Sequence, residues 1–108
     1  MPPTDAELVW KLVDSTQKGR INWQKTAITD QYAAAFGGKW TVTVDKADGG
    51  RETVYWLSLN DAGGHEILRI GDNEDSRMPQ LFEMARRHAL RVNEAVADLL
   101  KELDQPPS

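Results

Sequence analysis

The chain has 108 residues, 40% hydrophobic and 28% charged, with 13 Lys and Arg against 17 Asp and Glu and a net charge of −4. That length suits one compact domain over residues 1–108, and the acidic balance weighs against a uniformly basic nucleic-acid binder. With no cysteine, thiolate nucleophiles, disulfide scaffolding and Cys-type metal sites are excluded, and a reducing cytoplasm is the expected location.

Met1 to Asp5 show no basic stretch leading into an apolar run, so no signal peptide is expected. No apolar run approaches the roughly 18 residues of a membrane span. Residues 1–3 and 104–108 read as loose ends.

In chain order, Thr4 with Glu7 three residues on forms a capping box. Leu8, Val9, Leu12, Val13 and Thr16 then recur with helical spacing. Lys18 suits the negative end of the helix dipole and Gly19 the position after the cap, so a helix is expected over residues 4–18. In residues 20–26, Ile21 and Trp23 alternate with Asn22 and Gln24, which reads as a strand. Residues 29–36 admit two readings. The Ala33-Ala34-Ala35 run permits a short capped helix, whereas Gly37-Gly38 before a strand favours strand–turn–strand, the reading adopted here.

Residues 39–45 alternate Trp40, Val42 and Val44 with Thr41 and Thr43, a strand pattern. Asp48-Gly49-Gly50 marks a turn. Residues 53–60 form the next strand, with Tyr55, Leu57 and Leu59 on one face and Val54, Trp56 and Ser58 on the other. Asp61 to Gly64 turn again, residues 65–70 form a last strand, and an acidic loop follows at Asp72 to Asp75.

From Met78, the residues Phe82, Ala85, Ala89, Val92, Val96, Leu99 and Leu103 continue an unbroken heptad seam, widened by Leu81, Leu90, Ala95 and Leu100. One helix over residues 79–103 would be about 38 Å long, against a radius of gyration of about 13 Å for a globule of this size. It would cross the domain or project from it. The expected architecture is α+β: an N-terminal helix, an antiparallel meander of about five strands, and a long C-terminal helix packed on the sheet.

The chain resembles a set of small bacterial proteins of unassigned function. The resemblance runs through Lys18-Gly19-Arg20-Ile21 with Trp23, through Tyr32 to Gly38, and through Tyr55 to Asp61. It closes with Leu81 to Leu90 and Val92 to Leu100. It implies a strand at residues 32–36 and carries no catalytic residues across.

No motif points to catalysis. The two histidines, His65 and His88, have no nucleophile elbow to serve, and Ser58 lies within a strand. The pairs Gly37-Gly38, Gly49-Gly50 and Gly63-Gly64 sit between strands and read as turns, not phosphate cradles. Asp72, Glu74 and Asp75 lack calcium-loop spacing. They read as acids complementing a helix N-terminus, with Ser76 as its cap. No cofactor or metal is expected.

Charge is uneven along the chain. Arg77, Arg86, Arg87 and Arg91 against Glu83 follow directly on a segment, residues 61–75, with five acids and one Arg. Arg86, Arg87 and Arg91 are thus candidate polyanion contacts, weighed against a solvated mixed-charge helix face.

The reading these observations favour is a non-enzymatic interaction module that pairs with itself as a homodimer, or with another protein. Its expected interface is Phe82, Ala85, Ala89, Val92, Val96, Leu99 and Leu103, joined by Trp56. The alternatives are a nucleic-acid-associated regulator using the arginines and a small-molecule binder with a Trp-lined pocket.

Overall fold

The computed structural model describes residues 4–48, 50 and 52–105. It has helix α1 (Asp5–Gln17), strands β1 (Gln24–Lys25), β2 (Gln31–Phe36), β3 (Trp40–Asp48), β4 (Thr53–Asn60) and β5 (Glu66–Gly71), and helices α2 (Met78–Ala89) and α3 (Val92–Asp104). The strands form one antiparallel sheet in the order β1-β2-β3-β4-β5. The fold is therefore α+β, with a meander between an N-terminal helix and two C-terminal ones.

Local chemistry accounts for the ends of α1. The Thr4 hydroxyl accepts from the Glu7 amide at 3.1 Å, while the Glu7 carboxylate turns outward to Lys11 at 3.4 Å. At the other end Lys18 caps the helix and Gly19 takes a φ of 70°, a left-handed value that costs glycine little.

The ambiguous Ala run is a strand. Gly37 and Gly38 both have positive φ, 61° and 69°, and the Lys39 amide donates to the Phe36 carbonyl at 3.2 Å. That is a three-residue hairpin loop, Gly37 to Lys39, whose two positive-φ glycines give the twist that antiparallel strands require. It sets the register Phe36↔Trp40, Ala34↔Val42 and Tyr32↔Val44, and ladder bonding outweighs the helix propensity of alanine.

Residues 20–26 depart from expectation, because only Gln24 and Lys25 pair with the sheet. Ile21 and Trp23 are nonetheless buried, at 5% and 1% exposed. The alternation there reports burial against α1, not a strand ladder. Ser76 does not cap α2. Instead Asp75 Oδ1 accepts from the Arg77 amide at 2.9 Å.

The long C-terminal helix is two helices. α2 ends at Ala89 with Leu90 as its C-cap, and Arg91 adopts a left-handed conformation, φ 53° and ψ 45°. The Leu90 amide donates to the Arg86 carbonyl and the Arg91 amide to that of His88, closing α2. Across the break, an Arg87 guanidinium nitrogen donates to Asn93 Oδ1 at 3.0 Å. The heptad repeat runs straight through this point, since one dihedral pair changes helix direction without changing the order of apolar residues. α3 continues to Asp104, so that residue is helical; residues 1–3 and 106–108 of the expected loose ends lie outside the described residues.

One face of the sheet carries the core. Tyr32, Ala34, Val42, Val44, Leu57 and Ile70 meet Val9, Leu12 and Val13 of α1 and Met78, Leu81, Phe82 and Ala85 of α2. Phe82 stands between two tyrosines, with ring centroids 5.5 Å from both Tyr32 and Tyr55. Burial pushes the Tyr32 phenol above its ordinary pKa; nearby Arg86 opposes that shift, and Asp30 and Glu83 reinforce it. The body is elongated, with a radius of gyration of 16.3 Å and extents of 62 × 37 × 27 Å. α3 contributes to that length, because it packs chiefly on α2 and buries none of its residues.

Candidate functional site

The structure divides the expected interface in two. Phe82 and Ala85 are 3% and 0% exposed and belong to the chain's own core. They are withdrawn from any surface role, because α2 spends its apolar stripe on the sheet. Ala89 and Val92 are half-buried at the break. Val96, Leu99 and Leu103 are 48%, 59% and 70% exposed, and Leu100, beside them, is 55% exposed. Thus, among the described residues, none on the second half of the seam is buried. A contiguous apolar face of this kind on a short helix is the usual mark of a contact surface.

Trp56 lies on the opposite face of the sheet, in register with Asp45 and Gly71. The Arg69 guanidinium covers its ring at 4.7 Å from the centroid, a cation–π contact. Beside it the buried Ser58 hydroxyl donates to Glu66 Oε1 at 2.8 Å. This face is chiefly polar, and the structure does not bring Trp56 together with α3.

The arginines are also separated. Arg86 is tied to Glu83 at 3.1 Å. Arg87 and Arg91 instead line a cleft of about 640 Å³ at the α2–α3 break, together with Lys25, His88, Asn22 and Gln24. Glu94 shares that cleft and lies 3.9 Å from Arg91. Residues 22–25 thus share one cleft with residues 87–89, 91, 93 and 94, segments far apart in the chain.

Arg77 has a structural role. It holds both Asp75 oxygens, at 3.0 and 2.7 Å, and donates to the Ala6 carbonyl at 2.9 Å, pinning the start of α2 to α1. The Arg77 hydrogen bonds hold the Asp75 carboxyl below the usual carboxylate range against the opposing cost of burial, and the Arg77 pKa is raised in return. His65 lies 3.4 Å from Asp61, whose Oδ1 accepts from the Gly63 and His65 amides. This geometry organises the β4–β5 turn and has no nucleophile beside it. Among the described residues no three His, Asp or Glu side chains gather as a metal-holding group, and no helix is long and apolar enough to cross a membrane.

Sequence reasoning missed one surface. Leu8 and Leu12 of α1 face Phe36, Trp40, Val42 and Leu59 across an open groove of about 260 Å³, lined almost wholly by carbon. Trp40 is 44% exposed there. Its signal was present, since alternation places Trp40 on the same face as Val42. What alternation leaves out is how far the covering helices reach. Comparison of the chain with family models, with curated proteins and with solved structures finds no match.

Proposed function

We propose that this protein is a non-enzymatic interaction module that pairs with a second copy of itself through the apolar face of α3. The observation that carries the reading is a thirteen-residue amphipathic helix with no buried residue, presenting Val96, Leu99, Leu100 and Leu103 to solvent. A helix this short gains little from propensity alone and draws stability from packing its apolar side. The reading includes a cytoplasmic location, supported by the absence of cysteine, and a bacterial source, supported by the sequence resemblance. Light scattering on the purified protein tests it. A mass of twice the 12.1 kDa chain at tens of micromolar is expected, with the Leu99→Asp variant monomeric and still folded. A monomeric wild-type protein overturns the reading.

A second reading is favoured by the meeting of Lys25, Arg87 and Arg91 in one cleft: contact with a nucleic-acid backbone. It expects binding to DNA or RNA at low salt, falling steeply as salt rises and lost in Arg87→Glu. No binding at 50 mM salt removes it.

A further inference from the structure

Among the described residues, two apolar surfaces lack a cover: the outer face of α3 and the groove between α1 and the β2–β3 end of the sheet. They lie on different parts of the molecule. The groove exists because α2 crosses β1 to β4 while α1 packs chiefly on α2. At this end of the sheet, the row Phe36, Trp40, Val42 and Leu59 is therefore faced by Leu8 and Leu12 across an open groove. We propose that α3 of one copy lies in this groove of a second copy, each chain lending its helix to the other.

Three observations select this occupant over a simple side-by-side pairing of the two α3 helices. The first is size. A stable interface takes about 800 Å² and roughly 20–30 residues from each partner. α3 has thirteen residues and one apolar face, too few to meet that need alone. Reciprocal docking adds the groove residues of α1 and the sheet on both sides, and a two-fold exchange closes on itself without growing into a filament.

The second is charge. α3 carries Glu94, Asp98, Glu102 and Asp104 against Lys101, so laying two copies together concentrates like charge. The groove lining itself, Leu8, Leu12, Phe36, Trp40, Val42 and Leu59, carries no charged residue to repel that acidic helix. The third is chemistry. The groove wall is aliphatic and aromatic with almost no polar atom, and branched side chains of the kind α3 presents fill such a space without stranding a hydrogen-bonding group. Trp40, half-exposed in the patch, is the sort of anchor on which interface energy concentrates.

The inference rests on the self-association proposed above, and one experiment separates the two. The chain has no cysteine of its own, so single cysteines report cleanly. Lys39→Cys, beside the groove, and Leu99→Cys, both at exposed positions, are purified separately and also co-expressed under different tags, then oxidised mildly. Reciprocal docking expects a disulfide-linked heterodimer from the co-expressed pair and no dimer from either variant alone. Self-linking of Leu99→Cys without the mixed product overturns the groove assignment and leaves self-association standing. The same holds for a dimer by light scattering that forms no mixed link. A doubly substituted chain that links within itself as a monomer also overturns it, by showing the helix folded onto its own groove. A monomeric wild-type protein overturns both.

Discussion

The Trp23 indole nitrogen donates to the Thr16 hydroxyl at 3.0 Å, and that hydroxyl donates in turn to the Leu12 carbonyl at 2.6 Å. Both residues are buried. The relay satisfies the one polar atom of the largest side chain in the core and fastens the segment before β1 to α1. Thr16→Val keeps the shape but leaves the indole N–H without a partner. It should cost about 1–3 kcal/mol in urea unfolding followed by tryptophan fluorescence, while Thr16→Ser should retain most of the stability.

Asp45 Oδ1 is the converse case, a buried side-chain oxygen with no hydrogen-bond partner, and the one such atom among the described residues. It sits in β3 on the face opposite the core, across from Trp56. Asp45→Thr removes the stranded oxygen and installs a residue that favours strands. A gain of about 1 kcal/mol is expected in thermal or urea denaturation, with the sheet spectrum unchanged.

The Asp75–Arg77 pair gives a pH dependence whose sign follows from the lowered pKa of Asp75. The unfolded chain binds that proton more readily than the folded one, so the contribution is fully present above the ordinary aspartate value of about 4. It is lost as pH falls through the lower folded value. Acid unfolding monitored by circular dichroism should therefore be steeper below about pH 4 in the wild type than in Asp75→Asn. That variant keeps an acceptor for the Arg77 amide but has no charge to lose.

Arg91 occupies a left-handed conformation without being glycine, at a cost of roughly 1–2 kcal/mol for an ordinary L-residue. Arg91→Gly relieves that cost and should leave thermal stability equal or higher, with helix content unchanged. Arg91→Val, whose branched side chain tolerates the conformation poorly, should lower the midpoint. Differential scanning calorimetry on the two variants reads the contrast directly.

The divided seam predicts opposite outcomes for the same substitution on its two halves. Ala85→Asp buries a charge among Phe82, Leu81 and the sheet and should prevent folding. Leu99→Asp lies on a helix with no buried residue and should preserve the far-UV spectrum while abolishing any dimer.

Much of this protein is legible in local chemistry. The Thr4 cap, Gly19 after α1, the Gly37-Gly38 hairpin and the alternation of Trp40, Val42 and Val44 each act over a few residues, so the amino-acid order settles them. The apolar seam from Met78 to Leu103 is equally plain in that order. Its division is not. Neither glycine nor proline marks residues 90–91, and a single left-handed residue turns the chain there. Which half of the seam is covered depends on where α2 crosses the sheet, how far α1 reaches over Phe36 and Trp40, and where the strands end. Those are relations between segments distant in the chain, and periodicity, which records only spacing along one segment, contains nothing about them. Composition and pattern therefore determine that residues 78–104 are amphipathic helix. Packing alone determines that Phe82 and Ala85 belong to the core and that Val96, Leu99 and Leu103 face outward.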